Sequence, residues 1–210
     1  LSYSSEFPWM ADGANGEVAM NYTFKKADEG WKALSVYRFK RFEQEVYYRE
    51  AWLRNDTDIE FQLADILLPD GVLRVDKAMS VNPVEAHLGH YALPHLTNTI
   101  KEKTIKKHGY TAYVIENEKH QLAMVPLYGW KEVGFEHTSG LHPESDECTV
   151  LNAKEIFTGE KIFVTLLLWN KAGTKVDNKR FFPVKDVLVS HDKKSVTVLL
   201  NDGTRKEVVW

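Results

Sequence analysis

The side chains best suited to proton chemistry gather in residues 81–95, VNPVEAHLGHYALPH, which hold His87, His90, Tyr91 and His95. Imidazole exchanges protons near neutral pH and a phenol can give or take one, so this segment can carry chemistry that the Val- and Leu-rich stretches around it cannot. Toward a bound sugar, His90 and Tyr91 would act as base and acid, with His87 or His95 holding a carboxylate or hydroxyl group. That pairing suits β-elimination from a uronic acid: one group removes the C5 proton and the other protonates the leaving oxygen. The substrate carboxylate needs a cation, which Arg74 or Lys77 on the preceding strand could supply. The competing reading is that these histidines are hydrogen-bonded or surface residues of a loop, and that Arg74 and Lys77 face solvent.

Metal and hydrolytic chemistry fit the pattern less well. Zinc would use His87, His90 and His95, or reach to His108, yet their spacing matches neither i, i+4 on a helix nor i, i+2 on a strand, so no metal and no cofactor is expected. Glycoside hydrolysis needs two carboxyl groups about 5 to 9.5 Å apart across the scissile bond. Glu43 with Glu45, Asp65 with Asp70, and Asp76 with Glu85 are candidates without distinctive context, and no dyad is assigned. The chain has no Gly-x-Ser-x-Gly, phosphate-binding loop or dinucleotide fingerprint. Aromatic side chains near turns, Trp9, Trp31, Tyr128 and Trp130, could stack on the apolar faces of pyranoses, with Trp9 and Trp130 as the substrate-binding candidates beside Arg74 and His95; the alternative is that they cap a β core.

These residues need a scaffold, and the hydrophobic pattern supplies strands. Alternation marks strands at 17–24, 31–42, 45–53, 59–68, 72–79, 111–116, 121–127, 149–157, 161–169, 187–190, 195–200 and 206–210, separated by turns such as Pro69-Asp70-Gly71 and Asn201-Asp202-Gly203. Residues 129–147 read as a loop, and Thr158-Gly159-Glu160 as a turn between two strands. Residues 101–108, KEKTIKKH, fit a solvated loop or an edge strand, where Lys discourages edge pairing. No amphipathic helix stands out. The expected fold is all-β, a large antiparallel β-sandwich of supersandwich type, with residues 1–210 forming one domain.

Composition narrows the partners. A formal charge of −3 with mixed signs offers no basic face for nucleic acid or an anionic membrane. No apolar run approaches the roughly 18 residues of a membrane span, and Cys148 is the only cysteine, which together suggest a soluble protein in a reducing, cytoplasmic setting. Leu1 follows no initiator Met or signal-like region, so the chain is expected to be cut from a longer one. The first fifteen residues are irregular, yet Tyr3, Phe7 and Trp9 make them too apolar for a free tail.

Tyr3-Ser4-Ser5 followed by Phe7, the pair Tyr37-Arg38-Phe39 and Arg49-Glu50-Ala51-Trp52, and Leu73-Arg74-Val75 leading into the Gly89 region together give the first half of the chain a family look. It resembles the C-terminal β-sandwich of a bacterial family of glucuronidase-like glycoside hydrolases, formerly a domain of unknown function, and is similar in plan to heparinase-type polysaccharide lyases. The resemblance implies an N-terminal (α/α) toroid as partner, an acidic glycan as substrate, and sandwich residues lent to a shared cleft. The histidine cluster matches no motif of that family. Two other readings stand beside it: a non-catalytic carbohydrate-binding module, and a domain serving only folding or assembly.

Overall fold

The computed structural model describes residues 21–26, 30–33, 36–52, 58–68, 71–97, 99–142 and 145–210, with the backbone path alone for 21–26, 30–33, 36–37, 52, 87–92, 140–142, 145, 178 and 179. The described residues form fourteen strands and one short helix: β1 Asn21–Lys26, β2 Gly30–Ala33, β3 Val36–Glu43, β4 Val46–Trp52, β5 Ile59–Leu68, β6 Gly71–Pro94, β7 Lys101–Lys107, β8 Tyr110–Glu116, β9 His120–Tyr128, β10 Glu132–His142, β11 Ser145–Lys171, α1 Asn178–Phe181, β12 Val184–Val189, β13 Ser195–Leu200 and β14 Arg205–Val209. Among the described residues every strand pairing is antiparallel, in an 11-stranded sheet and a 3-stranded sheet of β12, β13 and β14. The all-β sandwich expected from the alternation is what forms.

Two strands organise the large sheet. β6 and β11 pair along almost their whole lengths and bend together, where β6 sets Val81, Asn82 and Pro83 against Thr158 alone. Pro83 has no N–H for the ladder, and Gly159 takes φ +74°, a left-handed conformation costly for other residues. Before the bend β6 carries β5, β4 and β3 on its free edge; beyond it the same edge carries β1 and β2. On the opposite edge, β11 carries β9, β8 and β7 in one half and β10 in the other.

The bend folds the sheet onto itself, and the inner faces of the halves share one core. Phe61, Leu63, Ile115, Met124 and Phe163 of one half meet Val84, Ala86, Leu93, Leu151 and Phe157 of the other. Phe135 on β10 meets Tyr113 on β8 edge-on, with ring centroids 5.9 Å apart. A second core covers the outer face of the first half, where Val184, Val196, Val198 and Val208 of the small sheet pack on Ala64, Ile66, Val75, Val164 and Leu166.

Three local expectations change. Residues 81–94 belong to a strand, because the apolar positions Val84, Ala86 and Leu93 let β6 continue beyond its bend. Residues 132–142 form β10, with Val133 and Phe135 as its inward positions. The turn expected at Thr158-Gly159-Glu160 lies within continuous β11, which does not reverse there and faces the three residues of the β6 irregularity. The Lys-rich residues 101–107 form the edge strand β7.

Candidate functional site

β6 contains a second irregularity within its histidine-rich part. Leu88 pairs with Ala153 and Tyr91 with Leu151, so Gly89 and His90 stand against Asn152 alone. This bulge switches the strand's inward positions from even numbers, Val84 and Ala86, to odd ones, Leu93. His87 lies in register with Lys154 on one side and Thr23 on the other, and Tyr91 with Leu151. The three catalytic candidates, His87, His90 and Tyr91, therefore flank or occupy a bulge on a central strand, the kind of distortion that re-aims side chains beside active sites.

At the end of β6 the side chains assemble a connected chain. His95 Nε2 hydrogen-bonds Thr149 Oγ1 at 2.9 Å, and its Nδ1 lies 3.4 Å from Glu147 Oε2. On the other side of Thr149, His137 Nδ1 lies 3.5 Å from the same hydroxyl, while its Nε2 is 3.2 Å from Glu102 Oε1. The two rings meet edge-on, 6.5 Å between centroids. Thr149 pairs with His137 across β10 and β11, and the backbone N–H of His95 donates to the Glu147 carbonyl at 2.9 Å. Glu102 arrives on β7, from the opposite half of the folded sheet, so the chain closes across the sandwich.

The exit of β6 is clamped by the turn between β8 and β9. Asn117 Nδ2 donates to the Pro94 carbonyl at 3.0 Å, while its Oδ1 accepts from the N–H groups of Lys119 and His120, each at 2.8 Å. An Asn that hydrogen-bonds its own turn is held rigidly, so it can fix a second segment in turn. Glu118 accepts from both the N–H and the hydroxyl of Thr97. His95 sits between these two anchored residues.

Carboxylate, imidazole and hydroxyl in a row have the wiring of a nucleophilic triad, but Thr149 has no exposed surface, so no substrate can reach its hydroxyl. Its position suits a relay between two imidazoles. The His137 side chain is 65% exposed and that of His95 17%, so His137 is the member that solvent or a ligand can meet.

Several expectations for individual residues change here. Arg74, the substrate-binding candidate, is 1% exposed and engaged by Asp65, with Nε to Oδ1 at 2.8 Å and Nη2 to Oδ2 at 3.1 Å. A guanidinium buried beneath two layers and bound to a carboxylate cannot receive a substrate carboxylate. Trp130 stacks on Phe163 at 4.1 Å and donates Nε1–H to Thr165 Oγ1 at 2.8 Å, so it packs on the core in place of forming an open sugar platform. His95 falls within the hydrogen-bonded chain. Trp9 lies outside the described residues. Among the described residues no group of three or more His, Cys, Asp or Glu is placed to hold a metal ion, and no helix is long and apolar enough to cross a membrane.

Sequence reasoning missed His137, Thr149, Glu102 and Glu147 as site members. A signal for His137 existed: Val133, Phe135 and His137 alternate, which continues an inward strand face into the histidine. Glu102 had none, because only folding brings β7 across to β10.

No family model matches the chain, and no curated protein matches it. Solved structures do. Heparan sulfate lyase HepC from Pedobacter heparinus aligns with 100% of this chain at TM-score 0.57 and 11% identity as a mutant, and at 0.56 and 9% in another structure; heparinase III aligns with 90% at 0.55 and 10%. The likeness is one of fold. The chain spans about a third of the length of those proteins: 33%, 33% and 29% respectively.

Proposed function

We propose that this chain is the β-sandwich module of a longer carbohydrate-active enzyme that acts on acidic glycans, packing on an (α/α) toroid and lending residues to the cleft between them. The observation that carries the reading is the fold match along the entire chain to a third of a heparan sulfate lyase. Two features of the chain agree with it. His90 and Tyr91 sit at a bulge in a central strand, and the chain ending in His137 offers an accessible imidazole steadied by Thr149 and Glu102. In this reading His90 and Tyr91 exchange protons with the sugar at C5 and the leaving oxygen, and His95 with His137 forms a second proton-handling set at the same end of β6.

Elimination is the reaction these groups suit better than hydrolysis, since it needs a base and an acid but no pair of opposed carboxylates. The binding-module alternative loses its main support with Trp130 packed on Phe163.

The test uses the full-length protein with a heparan-type oligosaccharide, following the ultraviolet absorbance of the unsaturated uronate product. Y91F and H90Q are each expected to lower kcat by about two orders of magnitude, the usual contribution of one acid or base, with melting temperature nearly unchanged. Activity falling only in proportion to lost folded protein would sink the proposal.

A further inference from the structure

We propose that β7 is a binding rim for acidic glycan, on which Lys103, Lys106 and Lys107 hold charged groups of the same chain whose sugar meets His137. β7 reads KEKTIKK, four lysines and one glutamate in seven residues. It ends the path of the large sheet beside β8, and among the described residues no strand pairs with its other edge. Lys101, Lys103 and Lys106 are exposed and Lys107 is half-buried. The charge of the whole chain, −3, conceals this local excess. A short run so rich in lysine is a signature of polyanion binding, heparin-like chains included.

What separates β7 from the other basic surface is charge left without a counter-ion. Lys40, Lys194 and Lys206 pair with Glu50, Asp192 and Glu45. On β7, Lys101 lies 3.9 Å from Glu116, whereas Lys103, Lys106 and Lys107 have no carboxylate partner among the described residues. Lysine on an edge strand also deters pairing with another chain. That task does not require bare cations: β3, at the other end of the sheet path, carries Arg38, Lys40 and Arg41 with their charges paired.

The spacing calls for a polymer. Lys103 pairs with Val114 and Lys107 with Tyr110, which puts both on the outer face, where Val114 and Tyr110 join the core beneath the small sheet; Lys106 alternates with them and shares the inner face with Glu102. An edge strand presents both rows along one rim, and Lys103 to Lys107 covers about 13 Å of it. No single small anion spans that length, but a chain laid along the rim does. The rim also begins at the site. Glu102 Oε1 is 3.2 Å from His137 Nε2, so β7 starts beside the accessible imidazole and runs from it toward the bend. β7 has no aromatic side chain on which bases could stack, which favours a glycan over a single-stranded nucleic acid. This rests on the acidic-glycan reading and adds where the substrate is held.

The experiment measures binding of a heparan-type oligosaccharide to the full-length protein by calorimetry at several salt concentrations. K103Q/K106Q/K107Q should bind about tenfold more weakly, the loss expected of three exposed charge contacts. Its affinity should also depend less on salt, because fewer counter-ions are displaced. K40Q/K194Q/K206Q removes the same charge from lysines that are already paired and should bind as wild type does. Equal losses in the two variants, or no loss in the first, overturn the proposal. Tighter binding of a DNA duplex of equal charge by wild type overturns it too, and makes the rim a nucleic-acid site. The elimination assay separates this proposal from the broader reading. If wild type cleaves the oligosaccharide while K103Q/K106Q/K107Q binds it undiminished, the β7 site falls and the reading stands; if wild type neither binds nor cleaves it, both fall.

Discussion

Two polar clusters occupy the inner face of the folded sheet, and they are built to opposite ends. In the first, Asp65 lies between two arginines, with Arg49 Nη2 at 2.6 Å and Arg74 Nε at 2.8 Å, and all three are buried. Burial alone would push the Asp65 carboxyl up, but attraction to Arg74 and Arg49 and their hydrogen bonds together outweigh it and hold it below the usual carboxylate range. In the second, His95, Thr149 and His137 stand between two glutamates at an open end. A perturbed acid marks a functional site only where a ligand can reach it. Asp65 is perturbed and sealed from any ligand, whereas the His137 side chain is open to solvent.

The comparison breaks most visibly at Asp65. D65A leaves two buried guanidinium groups without their shared carboxylate, and removing one partner of a buried ion pair costs about 3–5 kcal/mol. Denaturant unfolding should show that loss, or no folded protein. The pH dependence follows from the direction of the Asp65 shift. The unfolded chain holds the proton more readily, so this group's stabilisation is complete above an ordinary aspartate value of about pH 4 and is lost as the pH falls through the lower folded value. D65N, where it folds, should be less stable at neutral pH and show a shallower acid limb when unfolding is measured by circular dichroism between those limits.

The histidine chain should respond less in stability and more in chemistry. T149V removes the hydroxyl shared by both imidazoles and leaves partners in a part-buried setting, a cost of about 1–3 kcal/mol. Its diagnostic effect is uncoupling: in nitrogen NMR of the imidazoles, the tautomer of His95 should no longer follow the protonation of His137. Coupling that persists in T149V would show that Thr149 is a spacer and not a relay.

Much of this architecture was legible because alternation reports half-buried strands. Ile59, Phe61 and Leu63, or Val196 and Val198, announce their buried faces directly. What alternation cannot report is a strand that changes direction without ending. β6 and β11 bend at Pro83 and Gly159, residues that punctuate a sequence as turns do, so β11 read as two strands with a turn between them. The bulge at Gly89 and His90 flips the inward parity, which made the second part of β6 resemble a loop. The site suffered from the same cause. His95 could be named from its neighbours in sequence, whereas His137 and Glu102 join it only through the fold-over of the sheet. Arg74 was misread because an arginine within an apolar strand gives no sign of whether water or a carboxylate receives it.

The smallest expected effect concerns the residue next to Arg49. Glu50, on the opposite face of β4, also gathers two cations: Arg38 donates to its Oε2, and Lys40 Nζ lies 2.6 Å from its Oε1. Hydrogen bonds from Lys40 and Arg38 hold its carboxyl below the usual range, so the local chemistry mirrors the Asp65 cluster with only one anion and two cations. The difference is water. Arg38 and Lys40 are exposed and keep most of their hydration, so neither member is stranded when a partner is removed. E50Q should therefore change stability by at most about 1 kcal/mol. Added salt should shrink even that difference, because exposed charges are screened over about 10 Å at 0.1 M ionic strength. The D65A loss should barely respond to the same salt. If the two variants showed the same salt dependence in urea unfolding, burial would not be what separates the two clusters, and the contrast between a sealed network and an open one would lose its physical basis.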